Sequence, residues 1–163
     1  MQRHRARQSL LPVPARLAVL LVLGILVVVA PAAGQQIRLQ GLDGGQLTEG
    51  DLARGSTVIV VWASWSPRGK DVVERVNAIE GSWGDRARVV MVNFQEDRST
   101  VQEFLSGKNP AVPVYLDTDG AFSKKHAITT LPGLLVVRDG DVAFRGRLPE
   151  DPGSILSEAL GGR

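Results

Sequence analysis

The sequence predicts an α/β three-layer sandwich with a mixed central sheet, and three stretches carry that prediction. The first is Val58–Lys70, where the β-branched run Val58 to Val61 reads as a fully buried strand. It leads through Trp62-Ala63-Ser64-Trp65 into a helix start. The second is Val89–Phe94, an apolar run suited to another central strand. The third is Leu134–Arg145, where Asp139-Gly140 marks a tight turn between two strands. Strands alternating with short helices suit a sheet covered on both faces.

In chain order, Gln35–Leu42 and Gln46–Leu47 flank Asp43-Gly44-Gly45 and predict an N-terminal β-hairpin. Thr48–Gly55 reads as a helical turn and linker. After the Val58–Val61 strand, Ser66 is placed to cap a helix, its hydroxyl accepting from a free N–H of the first turn. Pro67 suits the first helical position, where a missing N–H costs nothing. Val72, Val73, Val76 and Ile79 then share one helix face, and Gly81-Ser82-Trp83-Gly84 ends the element. Gln95–Ser99 is a polar loop, and Ser99 or Thr100 is placed to cap a helix through Leu105. Val112–Leu116 is a short strand, and Pro113 near its start argues against a central position. Asp117–Gly120 is a turn, Ala121–His126 a short helix, and Pro152–Leu160 a final helix capped by Asp151-Pro152 and closed by Gly161-Gly162.

The first 34 residues differ from the rest. Arg3, Arg5, Arg7 and Arg16 precede the apolar run Leu17–Ala30, and Pro31-Ala32-Ala33-Gly34 supplies small residues of the cleavage-site kind. Residues 1–34 therefore read as a secretory signal peptide, or as an N-terminal membrane anchor if the apolar stretch is extended over residues 10–33. Either way the domain over residues 35–163 is expected outside the cytoplasm, periplasmic or tethered to the inner membrane.

Setting that segment aside removes four of the 19 basic residues and none of the 17 acidic ones, leaving a net charge of −2. A mildly acidic domain makes nucleic acid an unfavoured partner. Cysteine is absent from the chain, which excludes disulfides, thiolate catalysis and cysteine-ligated metal. The two histidines, His4 and His126, are too few and too far apart to suggest a metal site, and no cofactor is expected.

The Trp62–Lys70 unit resembles the active-site turn of the thioredoxin superfamily, specifically its TlpA/ResA-like branch. That branch usually reads Trp-Ala-Ser-Trp-Cys-x-x-Cys-Lys/Arg here. This chain has Ser66 at the first cysteine position and Gly69 at the second. The order of elements matches over about residues 36–161, including the N-terminal hairpin and an α-β-α insertion at Ser99–His126. The resemblance implies a thioredoxin-like sandwich. It also implies a cis proline at Leu131-Pro132, set against the turn. The superfamily's buried aspartate falls on Val60, and the glutamate of the ResA-like pattern on Val72. No proton acceptor is expected near the turn.

A hydroxyl carries no redox couple and glycine carries no side chain, so the family's thiol-disulfide exchange has no atoms to run on. Ser66 as a hydrolytic nucleophile would need a base within reach, and only His126 is at hand. No catalytic residue is assigned.

The sequence instead suggests binding of an extended protein segment, or of an envelope protein, at Trp65, Ser66, Pro67, Arg68, Leu131 and Pro132. Leu131 offers backbone groups for strand addition, and Trp65 is a candidate anchor. Each has a plainer reading as well: a bend at Leu131-Pro132, local packing of Trp65, and a solvated rim at Arg68 and Lys70. A family-type disulfide oxidoreductase or cytochrome-assembly role, and a structural subunit of an envelope complex, stand as alternatives.

Overall fold

A computed structural model describes residues 36–161. The predicted signal or anchor, residues 1–34, lies outside them. No helix among the described residues is long and apolar enough to cross a membrane.

Seven strands form one mixed sheet in the order β2-β1-β5-β4-β3-β6-β7. They are β1 (Arg38–Gly41), β2 (Gln46–Thr48), β3 (Ser56–Trp62), β4 (Arg88–Phe94), β5 (Val114–Asp117), β6 (Gly133–Arg138) and β7 (Asp141–Arg147). The helices are α1 (Glu49–Leu52), α2 (Val72–Trp83), α3 (Arg98–Leu105), α4 (Ala121–Lys125) and α5 (Gly153–Ala159). A 3-10 turn, Pro67–Gly69, precedes α2.

Alternation along β3 builds the two cores, because successive side chains of a strand point to opposite faces. Val58, Val60 and Trp62 pack with Val72, Val76 and Ile79 of α2, Val101 of α3 and Leu156 of α5. Ile59 and Val61 pack with Leu52 of α1 and Phe122 of α4 on the other face. All of β3 except Ser56 is buried. Each such aliphatic side chain contributes about 1.5–3 kcal/mol. Val60 and Val72, the positions at which the resemblance would place acids, are both fully buried in the first core.

Three expectations change. β5 lies inside the sheet, paired with β4 on one side and β1 on the other. Pro113 does not prevent this, because it stands just before the strand and its carbonyl still accepts from the Met91 N–H at 3.0 Å. The cap of α3 is Asp97, whose carboxylate accepts from the Thr100 N–H at 2.8 Å. Helix α2 begins at Val72, later than Pro67, with Asp71 at its N-cap position. The predicted turn at Asp139-Gly140 forms, and β7 beyond it is an edge strand whose pairing with β6 carries a bulge.

His126 closes α4. Its ring lies on Phe122, with centroids 4.5 Å apart, and its Nε2 is 3.8 Å from a Glu49 oxygen that also pairs with Lys125 at 2.9 Å. Burial holds its pKa below the ordinary histidine value. Lys125 and Arg145 push the same way, while Glu49 and Asp117 oppose. Folding thus favours the neutral ring, and the unfolded chain binds the proton more tightly. Stability is full above the unfolded-state histidine pKa and falls as pH drops through it. The carboxyls of Asp51 and Asp97, held low chiefly by side-chain hydrogen bonds from Thr48 and Ser99, respond only in more acid solution. Urea melts between about pH 7 and 5 are therefore expected to show stability declining with acidification, and His126→Gln should flatten that slope. An unchanged slope would refute the assignment.

Candidate functional site

The sheet register gathers the site at one end. In the parallel pair β3/β4, Trp62 stands opposite Asn93, so the loops leaving both strands emerge side by side. In the antiparallel pair β3/β6, Val61 stands opposite Gly133, which brings Leu131-Pro132 to the same end. The β6/β7 pairing then sets Arg147 opposite Gly133, and the Leu148 N–H donates to the Pro132 carbonyl at 3.0 Å. Gly133 is required there. A Cβ would lie 2.9 Å from both Ile128 Cγ2 and the Thr130 carbonyl oxygen.

The Leu131-Pro132 peptide is cis. Ser66 is buried and its hydroxyl donates to the Leu131 carbonyl at 3.3 Å. It makes no helix-capping hydrogen bond, contrary to the cap expected from sequence. The reason is local: the chain after Ser66 tightens into the 3-10 turn, with the Gly69 N–H donating to the Ser66 carbonyl at 2.9 Å. The hydroxyl therefore turns to the nearer acceptor across the sheet end. Arg68 and Lys70 accordingly precede α2 and do not sit in its first turn.

Gly69 is buried. A Cβ built on it lies 3.6 Å from Ser66 Cβ and 3.1 Å from the Ala63 carbonyl oxygen. The first distance is within the range spanned by disulfide-bonded cysteines. The backbone thus retains a dithiol frame without its sulfurs.

A carboxylate does lie against the turn, which the sequence reading missed. Glu96, in the loop after β4, accepts from the Ser64 N–H at 2.7 Å, from the Ser64 hydroxyl and from the Asn93 side-chain amide at 2.6 Å. Both its oxygens are engaged, so it holds the Trp-Ala-Ser-Trp turn to the end of β4. The signal was available in Asn93, a polar residue at the end of an apolar strand, whose own amide is now seen to be fully buried. Only the β3/β4 register says what it faces.

Trp62 is buried and packs on Phe104, with ring centroids 4.8 Å apart. Trp65 points outward and is 62% exposed. It borders a groove of about 400 Å³ lined also by Ser66, Phe94, Ser123, Ile128, Thr129, Thr130 and Leu131. The Ser123 hydroxyl has no hydrogen-bond partner among the described residues. Nor does the Leu131 N–H, while the Leu131 carbonyl is partly occupied by Ser66. Pro132 itself is buried and Pro67 exposed. His126 makes no hydrogen bond to Ser66. Its ring lies on Phe122, and its Nε2, 3.8 Å from a Glu49 oxygen, has no hydrogen-bond partner among the described residues. No cluster of metal-ligating side chains occurs among the described residues.

A β-strand ending in an aromatic turn, a helix behind it and a cis proline beside it define a thioredoxin-like domain. Residues 30–160 match the Redoxin family, and the chain belongs to it. Solved structures agree on the fold. The domain is similar to a putative thiol:disulfide interchange protein DsbE from Chlorobium tepidum, at 21% identity and TM-score 0.67, over 77% of this chain and 94% of that one. It is similar to the exposed lipoprotein thioredoxin Etrx1 of Streptococcus pneumoniae, at 17% identity and TM-score 0.67, over 77% and 98%. StoA from Bacillus subtilis aligns at 19% identity and TM-score 0.62, over 79% and 98%.

Two outcomes check this geometry. Glu96→Ala leaves the Ser64 N–H and the Asn93 amide without their acceptor and should lower stability by about 2 kcal/mol in chemical denaturation. A loss near zero would show that the carboxylate does not hold the turn. The double variant Ser66→Cys/Gly69→Cys should close a disulfide under mild oxidation, read as loss of two titratable thiols. Two thiols that stay free would show that the frame has drifted.

Proposed function

We propose that this Redoxin-family domain is an exported binding module that holds an extended protein segment across Trp65, Ser66, Pro67, Arg68, Leu131 and Pro132, with no electron transfer. The observation that carries this reading is the exposed Trp65 beside an open groove lined also by Leu131, whose N–H has no partner among the described residues. A large aromatic next to a bare backbone donor suits strand-like capture of a peptide, with the ring as anchor. The groove is walled by Phe94, Ile128 and Leu131 together with Thr129 and Thr130, with the buried, unpartnered Ser123 hydroxyl behind them.

The absence of cysteine from the whole chain supports a role by contact alone, since exchange starts from a thiolate. Export is supported by the basic and apolar N-terminal segment. It is supported also by similar structures described as a secreted disulfide oxidoreductase of Mycobacterium tuberculosis and an exposed lipoprotein. A photo-crosslinking amino acid at Thr129, which lines the groove, should capture a defined partner in cells exporting the full chain. Trp65→Ala should weaken that capture at least about ten-fold, the effect of losing an aromatic anchor. Capture that ignores Trp65, or that is matched by a crosslinker at exposed Gln102, would reject the groove. Insulin reduction by the purified chain would reject the non-redox reading.

A further inference from the structure

A second groove adjoins the turn on its other side. It has a volume of about 620 Å³ and is lined by Pro67, Arg68, Lys70, Asp71, Arg75, Arg147, Leu148, Pro149 and Glu150. It meets the apolar groove where Ser66 passes into Pro67, since each lines one of them. The link to the proline segment is direct, through Arg147 opposite Gly133 and the Leu148 N–H on the Pro132 carbonyl.

Its charges are unequally committed. Arg75 donates to the Leu148 carbonyl at 3.0 Å and also to the Pro149 carbonyl, and lies 3.9 Å from Asp71. Arg68, Lys70 and Arg147 are exposed and have no ion-pair partner among the described residues. Glu150 is the one acid there without a cation. Three uncommitted cations face one uncommitted carboxylate, in a domain that is otherwise mildly acidic. Such a cluster attracts an anionic ligand and disfavours a cationic one.

We infer that the segment captured at the turn is bipartite, with an apolar side chain in the Trp65 groove and acidic side chains in the groove of Arg68, Lys70 and Arg147. This rests on the proposed peptide-binding role and adds its charge specificity. The two cores and the Glu96 bonds hold both grooves in place before any ligand arrives. The acidic half then sets selectivity and on-rate, and the apolar half sets residence time.

The test uses the full chain and four fluorescein-labelled peptides. Each carries one apolar Leu-Val-Leu half joined to either three glutamates or three glutamines, in both orders. By anisotropy, at least one glutamate peptide should bind about ten-fold more tightly than its glutamine twin, the combined yield of three exposed charge pairs. The margin should vanish in about 1 M salt, where the screening length falls to about 3 Å, and in the triple variant Arg68→Gln/Lys70→Gln/Arg147→Gln. Trp65→Ala should weaken both twins equally. Equal binding of the twins, unaffected by the triple variant, overturns this inference and leaves the groove reading standing. Binding of none of the four overturns both. Preference for a short single-stranded oligonucleotide over the glutamate peptides overturns the acidic-peptide assignment in favour of a phosphate ligand. Thermal melts of each variant matching the parent exclude unfolding as the cause, since all the substituted side chains are exposed.

Discussion

The register of β3 against its two neighbours is the constraint from which the candidate site follows. β3 is sealed on both faces, so its position is held by the two cores together and leaves little freedom to slide. A shift of one residue would bring Val58, Val60 and Trp62 to the side of α4 and strip α2 of its contacts. With the register held, Trp62 must emerge beside Asn93 and Val61 beside Gly133. The aromatic turn, the Glu96 loop and the cis proline therefore meet whether or not any chemistry takes place between them.

This separation of frame from chemistry explains how the turn persists without sulfur. In a redox member of the fold the same backbone presents a thiolate. Here its shape is maintained by hydrogen bonds among nitrogen and oxygen atoms: Ser64 and Asn93 donate to Glu96, Ser66 to the Leu131 carbonyl, and Leu148 to the Pro132 carbonyl. The Ser66 hydroxyl is spent on its neighbour's carbonyl, which is the fate of a polar group in a buried place. Toward solvent the turn presents the Trp65 ring and, on the Pro67 side, the cations Arg68 and Lys70.

Much of this was legible in the residue order. The β-branched run, the two tryptophans and the Asp139-Gly140 turn are local signals, and each formed the element its pattern implies. The helix face Val72, Val73, Val76 and Ile79 is likewise buried as its spacing indicates. The errors share another origin. Ser66 looks like a cap when read against Pro67 alone, but its partner is 65 positions away. The interior place of β5 depends on the N-terminal hairpin pairing beyond it. Glu96 sat in a segment read as a polar loop and Arg147 lay beyond the hairpin's expected end at Arg145, and only pairing between distant strands brings them to the turn. Local pattern carries propensity and periodicity; it carries no register.

The outer rim at β7 has a consequence of its own. An unpaired strand margin invites a second molecule to lie alongside and continue the hydrogen-bond ladder, the first step toward fibrils. Here the margin is irregular, bulged beside Val136 and Val137, and it carries Arg145 and Arg147, which would meet their own kind in a self-pairing copy. An irregular margin carrying like charges therefore disfavours edge-to-edge pairing of two copies at β7.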